Sequence, residues 1–156
     1  MTDLDQLIKE TEQSLKTELD NDKLILQIRD IMVQAYSEKF DTWTEESISG
    51  ILLRLSTLLY GLSPKIESSR MSYNQSYGWR KFEGARRYLE LKDMTVSEKT
   101  QIVEHHIQGI RQHEVYHSYL SETLKRLHDD CSRLVSVLKS VLRVKERERF
   151  TAALQT

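Results

Sequence analysis

The chain is poor in the two residue types that make tight turns. Its 156 residues include five glycines and one proline, whereas these two types together make up about 12% of an ordinary protein. Glycine supplies positive φ angles and proline pre-sets turn geometry, so a fold with many tight turns needs more of both. The scarcity argues against all-β sandwiches, barrels and loop-rich α/β enzymes. A chain of this length corresponds to one domain with at most a small appendage.

Other absences narrow the class of protein further. The single cysteine, Cys131, has no partner for an internal disulfide, and no CxxC pair offers a thiolate zinc site. Neither common glycine-rich phosphate loop is present. The longest uncharged apolar stretch, Leu55 to Pro64, is far shorter than the roughly 20 residues that cross a bilayer. The segment Met1–Asp5 is acidic, unlike the start of an export signal. We therefore expect a soluble, cytoplasmic protein with no membrane segment and no cofactor.

Charge is distributed unevenly along the chain. Residues 1–60 carry 6 Lys and Arg against 12 Asp and Glu, while residues 61–156 carry 17 against 12. Such an asymmetry steers charged partners, although long helices also carry solvated charge of both signs. We predict an acidic N-terminal helical segment over residues 1–40 and a long helical hairpin over residues 41–156.

Apolar spacing predicts the helices. Residues 3–20 form an amphipathic pattern with Asp3 as the cap, and Asn21-Asp22 marks a break before a second short stripe. Thr42 with Glu45, and Thr95 with Glu98, have the spacing of capping boxes.

Two long helices follow, over residues 44–91 and from 96 to 150. The single proline, in Gly61–Pro64, predicts either a stop and restart or a kink in the first of them. Two rows of a/d spacing run along the last helix: Val103, Ile110, His117, Leu124, Cys131, Leu138 and Lys145, and His106, His113, Leu120, Leu127, Leu134 and Val141. The fold class is therefore all-α, with a long antiparallel hairpin that turns near 92–95 and short N-terminal helices.

The segment 65–92 has two apolar faces. One face carries Ile66, Tyr73, Tyr77, Gly84, Tyr88 and Leu91, and a different side carries Met71, Phe82, Ala85 and Leu89. A helix in a simple hairpin needs only one such stripe. The second face predicts contact with the 1–40 helices or with a second subunit, and we expect a homo-oligomeric helical bundle.

The sharpest short motif is His113-Glu114-Val115-Tyr116-His117. It matches HExxH, in which two histidines one helical turn apart bind zinc and the glutamate acts as general base. A catalytic zinc needs a third protein ligand, and the extended motif's glycine and third histidine are replaced here by Leu120 and Thr123. His106, His113 and His117 all lie near the predicted helical seam. A polar layer in the interface is therefore the favoured interpretation, with a zinc hydrolase or a non-catalytic metal site as remote alternatives.

A basic and aromatic stretch over residues 70–88 has the composition of a single-stranded DNA site. Such a site needs cations along the phosphates and flat rings for base stacking. Six side chains are the candidates: Arg80, Lys81, Arg86 and Arg87 for phosphates, and Trp79 and Tyr77 for bases. Arg86 and Arg87 have possible partners in Glu83 and Glu90, so we expect Arg80 and Lys81 to be the least neutralised.

Several segments together resemble UvsY-type recombination mediators of tailed phages. The resemblance covers residues 65–150 and is carried by Ala85-Arg86-Arg87-Tyr88, Leu127–Ser132, Leu138-Lys139-Ser140 and Glu148-Arg149-Phe150. It implies a small, all-helical, ring-forming protein that binds single-stranded DNA. It also implies two protein partners, namely a strand-exchange recombinase and the single-strand-binding protein in whose place the recombinase is loaded.

The function expected from the sequence is therefore that of a non-enzymatic, oligomeric accessory protein that binds single-stranded DNA during homologous recombination. The alternative is a structural or adaptor protein, of phage type, whose helices contact only other proteins.

Overall fold

The chain folds into helices joined by short connections. The computed structural model describes residues 3–37 and 42–154, and within them it contains α1 (Asp3–Asn21), α2 (Lys23–Ser37), α3 (Glu45–Glu90), α4 (Val96–Leu154) and no strand. The predicted all-α class and the long hairpin of α3 and α4 are confirmed. The side chain of the predicted cap Asp3 lies outside the described part of the chain, as does the segment boundary predicted at residues 40 and 41.

The predicted break after Asn21 is confirmed, and Asp22 is its cause. One carboxylate oxygen of Asp22 accepts the backbone N–H groups of Leu24 at 3.0 Å and Ile25 at 3.3 Å, which caps α2. The other oxygen binds the Lys65 ammonium. Burial works to raise the pKa of Asp22, but Lys65 and the two N–H groups outweigh it and hold that pKa below its ordinary value.

The cap of α3 differs from the prediction. The helix begins at Glu45, so the residue directly before it is Thr44, whose hydroxyl accepts the N–H of Ser47 at 3.1 Å. The predicted capping box of Thr42 with Glu45 is therefore wrong. A cap must directly precede the first helical residue, and Thr42 stands two positions too early.

The connection between α3 and α4 is as tight as predicted. Thr95 and Glu98 cap α4 reciprocally: the Thr95 N–H donates to the Glu98 carboxylate at 2.9 Å, and the Glu98 N–H donates to the Thr95 hydroxyl at 3.3 Å. The hydrogen bonds from Thr95 lower the pKa of Glu98. Asp93 adopts φ 56°, the left-handed conformation that short polar side chains tolerate best after glycine.

Pro64 lies inside α3, which continues to Glu90, so a stop and restart at this point is wrong. Proline lacks the N–H that would bond the carbonyl four residues earlier. Ser63 and Pro64 are exposed, and the Ser63 hydroxyl donates to the Leu59 carbonyl at 3.3 Å. The helix tolerates the proline because the disturbed turn faces solvent.

The chain divides into two compact units, which we describe separately. The first combines Met1–Glu18 with Ile66–Thr123, and the second combines Leu19–Lys65 with Leu124–Thr156. The second unit has an apolar core drawn from α2, α3 and α4, which includes Ile25, Ile28, Ile48, Leu55, Leu62, Leu134 and Leu138. In this unit a Cβ on Gly61 would stand 2.8 Å from Cδ1 of Leu24, so the helices approach closely where glycine leaves room.

The first unit has a smaller and more polar core. Its buried side chains are Thr11 and Leu15 of α1, Ser69 and Glu83 of α3, and Val103 and Ile107 of α4. The Ser69 hydroxyl donates to the His117 carbonyl at 3.0 Å, and a Cβ on Gly84 would lie 3.7 Å from Val103. Gly84, near the end of α3, lies against Val103, near the start of α4, and the earlier Ser69 meets the later His117, as an antiparallel hairpin requires.

The predicted rows of α4 are confirmed in part. The first row supplies four buried side chains, namely Val103, Leu124, Cys131 and Leu138. In the second row Leu134 is buried, but His106 and His113 are exposed. Their predicted place in the seam is therefore wrong. Beside His106 the buried position belongs to Ile107, one residue later.

The two faces of 65–92 differ in burial. On the face that carries the tyrosines, Ile66, Tyr73, Gly84 and Leu91 are half-buried, whereas Tyr77 and Tyr88 are exposed. The second face is exposed: the exposed fractions of Met71, Phe82 and Leu89 are 60%, 61% and 77%. The prediction that the 1–40 helices cover this face is therefore wrong for these three side chains.

Candidate nucleic-acid interface

Arg80 is half-buried against α4 and does not face solvent as a free cation. Its guanidinium makes two hydrogen bonds to the Glu114 carboxylate, through Nε and, at 3.2 Å, through Nη2. The side chains are 18% and 13% exposed, respectively. The bond to Glu114 raises the pKa of Arg80 further. The prediction that Arg80 is among the least neutralised cations is wrong, because its carboxylate partner lies 34 residues away on the other arm of the hairpin.

Arg86 and Arg87 are neutralised within α3, as the spacing of their partners indicated. Arg86 donates to Glu83 at 2.7 Å, and Arg87 donates to Glu90 at 3.1 Å. Glu83 is buried and also lies 3.6 Å from the His106 imidazole. Of the four cations predicted to bind phosphates, these two are therefore weak candidates.

The prediction that Lys81 is among the least neutralised cations agrees with the structure. It is exposed, forms no ion pair with any residue in the described ranges, and lies with Nζ 5.7 Å from the centre of the Tyr77 ring. Tyr77 is 44% exposed, so part of its ring is open to a base. Trp79 is 57% exposed but contacts Phe82, with ring centres 6.2 Å apart, on another side of the helix. The structure therefore keeps Tyr77 with Lys81 and separates Trp79 from them.

Lys81 belongs to a surface of cations and aromatic rings. We call this surface the basic–aromatic strip. Its members are Arg70, Tyr77, Lys81 and Tyr88 of α3 and Lys99 of α4. The α3 members follow one another at intervals of seven, four and seven residues, so they share one face over roughly 27 Å. The Lys99 ammonium lies 5.5 Å from the centre of the Tyr88 ring.

The strip alternates cations with rings, and its cations are available. Arg70 and Lys99, like Lys81, form no ion pair with the residues that the structure describes. Sequence reasoning missed Arg70, Tyr88 and Lys99 as site residues. The seven-residue repeat from Arg70 to Tyr77 and from Lys81 to Tyr88 was the available signal for two of them, whereas Lys99 required the hairpin itself.

Residues of the HExxH motif make contacts with α3 inside the first unit. Glu114 is bound to Arg80, and the His117 carbonyl accepts the Ser69 hydroxyl. The rings of His113 and His117 are 6.1 Å apart. Within the described ranges, no group of three or more His, Cys, Asp or Glu side chains is placed to hold a metal ion. Glu114, which would act as the general base of a zinc hydrolase, therefore forms an ion pair with Arg80.

A polar groove of about 490 Å³ lies between α1 and α4 beside the motif. Its walls include Glu10, Glu18, His113, Tyr116 and His117. The Tyr116 hydroxyl donates to Glu18, and burial, with that bond, raises the pKa of Tyr116 to about 12. Burial also lowers the pKa of His117, whose Nδ1 is buried with no hydrogen-bond partner among the described residues.

The basic C-terminal part of α4 is mostly solvated. Lys139, Arg143 and Arg147 are exposed, and Arg149 pairs with Glu45 at 2.9 Å. This region lacks the interleaved rings of the basic–aromatic strip, so we do not include it in the candidate interface.

Comparison of the chain with protein-family models, with curated proteins and with solved structures finds no match. None of the described helices combines the length and the apolar character needed to cross a membrane.

Proposed function

We propose that this chain is a non-enzymatic accessory protein of homologous recombination that binds single-stranded DNA and helps to load a recombinase. The observation that carries the proposal is the basic–aromatic strip, because cations that follow the phosphates and rings that stack on bases are what sequence-tolerant binding of a single strand requires. Of the six residues predicted from the sequence, Tyr77 and Lys81 belong to this surface.

The composition of the strip favours a single strand over a duplex. Tyr77 is partly exposed and lies beside Lys81, and Tyr88 lies beside Lys99. Rings contribute to binding when bases are unstacked and available, which is the state of a single strand. A duplex would contact the three cations alone and offer neither ring an unstacked base.

The partners and the setting of the proposal rest on the resemblance to UvsY-type mediators. These partners are a recombinase, a single-strand-binding protein that covers the DNA, and further copies of this chain. The proposed setting is the cytoplasm, in a phage-encoded system. The ion pair of Glu114 with Arg80 argues against the zinc-hydrolase alternative, because it engages the glutamate that would act as general base.

Fluorescence anisotropy with a labelled oligo-dT of about 30 nucleotides tests DNA binding. We expect binding at micromolar protein that weakens linearly with the logarithm of salt concentration. No binding at low salt would refute the proposal. The recombination role is tested separately, by the ATPase activity of a recombinase on strands already covered by a single-strand-binding protein. We expect this chain to shorten the lag before ATP hydrolysis.

A second candidate function is that of a structural or adaptor protein that contacts only other proteins. The exposed apolar side chains Met71, Phe82 and Leu89 favour it, since a solvated helix has no need of such a row. The anisotropy titration separates the two functions. An adaptor would assemble without binding the labelled strand.

A further inference from the structure

We propose that the outer face of α3 pairs with the same face of a second copy of this chain, in an antiparallel arrangement centred near Arg80. We call this face the outer row, and it consists of Met71, Gln75, Gly78, Phe82, Ala85 and Leu89. All six side-chain positions are exposed. The proposal goes beyond the DNA-binding function, which requires no particular pairing of chains.

The spacing of the outer row indicates that its partner is a helix. Successive members are separated alternately by four and three residues, which is the a/d repeat of a coiled-coil seam. The residues that face α4, Ser69 and Glu83 among them, precede members of the row by two positions. At 100° per residue the row therefore lies about 200° around α3 from its contact with α4. The hairpin cannot cover both faces of α3 at once.

The sizes of the side chains indicate that the partner is a second copy in antiparallel orientation. A two-fold axis near Arg80 brings Phe82 of each chain opposite Gly78 of the other, so a large ring meets the position with no side chain. Ala85 then faces Gln75, and Met71 faces Leu89. A Cβ on Gly78 would meet nothing within 4 Å, so the recess at this position is open to a partner.

The parallel arrangement of two copies fits this surface poorly. It would place Phe82 against Phe82 and Gly78 against Gly78, which crowds one layer and leaves a void in the next. The row contains no charged residue and one polar side chain, Gln75, so it suits an apolar helix face better than a charged ligand.

The flanks of the antiparallel pair have opposite effects on its stability. On one flank the two copies of Trp79 meet near the axis, where each already contacts its own Phe82. On the other flank the two copies of Lys81 approach each other, which is repulsive. Salt screens that repulsion, so we expect pairing to strengthen as salt rises, whereas DNA binding weakens. Failure of either proposal is thereby distinguishable from failure of the other.

Cysteine cross-linking tests the orientation in the full chain. Two copies of residue 71 lie roughly 27 Å apart in the antiparallel pair, whereas residue 71 of one chain lies beside residue 89 of the other. We therefore expect a mixture of Met71→Cys and Leu89→Cys chains to form disulfide-linked dimers under mild oxidation, and Met71→Cys alone to form none. The native Cys131 is fully buried and does not interfere. Cross-linking of Met71→Cys with itself as efficiently as in the mixture would overturn the proposal.

Sedimentation equilibrium tests independently whether the outer row is the contact between the two copies. Gly78→Leu fills the recess that Phe82 of the partner occupies, and Gly50→Leu is the matched control, because a Cβ at Gly50 also meets nothing within 4 Å. We expect the wild type and Gly50→Leu to show concentration-dependent dimers, and Gly78→Leu to remain monomeric with unchanged helical circular dichroism. A wild type that stays monomeric at high micromolar concentration, or a Gly78→Leu chain that pairs as the wild type does, would contradict the proposal.

Discussion

The guanidinium of Arg80 and the carboxylate of Glu114 form a two-point ion pair between the arms of the hairpin. This contact joins the two features that stood out in the sequence, the basic–aromatic stretch and the HExxH motif. It removes the most prominent cation from the first and the general base from the second. The pair adds to the apolar contact that Val103 and Ile107 of α4 make with α3 at Gly84. The surface that we propose for DNA is the face of α3 that carries Lys81.

The ion pair makes a specific contribution to stability. Removing one partner leaves the other charge partly buried and unpaired, which costs about 3–5 kcal/mol for a fully buried pair. Because both side chains retain some exposure, we expect Glu114→Gln or Arg80→Met to lower the free energy of unfolding by about 2 kcal/mol. The double variant should lose less than the sum of the two, as measured by urea unfolding in a double-mutant cycle. Additive losses would show that the two side chains do not interact.

Two glycines of α3 differ in their surroundings, and alanine substitution should separate them. Gly50 faces open space, whereas a Cβ on Gly61 would stand 2.8 Å from Leu24. Gly50→Ala should raise the free energy of unfolding by roughly 1 kcal/mol through helix propensity alone. Gly61→Ala should gain less or become destabilising, because the same propensity gain is offset by overpacking. Adding Leu24→Ala should relieve the clash. Equal effects of the two single substitutions in thermal or urea unfolding would exclude the close approach.

Stability should fall in mild acid because of His117. Its folded-state pKa is lowered by burial and by neighbouring His113, while Glu18 opposes the decrease. Above the unfolded-state value of about 6.5 the imidazole is neutral in both states and costs nothing. As the pH falls below that value the unfolded chain takes up the proton first, so the free energy of unfolding decreases by at most about 1.4 kcal/mol per pH unit from this group.

His117→Gln should flatten the decrease between pH 7 and the folded-state pKa of the histidine. His105→Gln is the control, since His105 is exposed and forms no ion pair with the described residues. Urea unfolding at a series of pH values makes the comparison. A decrease that persists unchanged in His117→Gln would assign it to another group.

The cations of the strip should determine the salt dependence of DNA binding. Each phosphate contact on a single strand contributes roughly 0.7 to the slope of log affinity against log salt. The triple variant Arg70→Ala, Lys81→Ala and Lys99→Ala should therefore lose a slope of about 2. Arg54→Ala is the control, because Arg54 is an exposed cation of α3 outside the strip. If Arg54→Ala and the triple variant reduce the slope equally per charge, binding is non-specific.

The spacing of apolar residues was sufficient to predict the helices and the hairpin. It failed for residues whose surroundings depend on partners far away in the sequence. The breaks at Asn21 and at Asp93, and the cap by Thr95, depend on neighbours within a few residues, and all of them are present. Arg80 illustrates the opposite case. Its partner lies on the other arm of the hairpin, and the turn sets the register between the two arms, which apolar spacing alone does not specify.

The same limit explains the tyrosines of α3. Tyr77 and Tyr88 share a stripe with Gly84, which packs against α4, but the two tyrosines are exposed. The polar side chains of Ser69 and Glu83 are buried instead. Glu83 is buried because Arg86 binds its carboxylate and His106 lies beside it. A buried carboxylate of this kind depends on specific partners, which a hydrophobic pattern does not reveal.

Photo-cross-linking to single-stranded DNA tests the proposed interface most directly. A strand that carries 5-iodouracil is irradiated in complex with the full chain, and the linked residues are mapped by mass spectrometry. The basic–aromatic strip predicts links at Tyr77 and Tyr88, because these rings stack on bases between Arg70 and Lys99. Links confined to Phe150 and the C-terminal turns of α4, with none at Tyr77 or Tyr88, would contradict it.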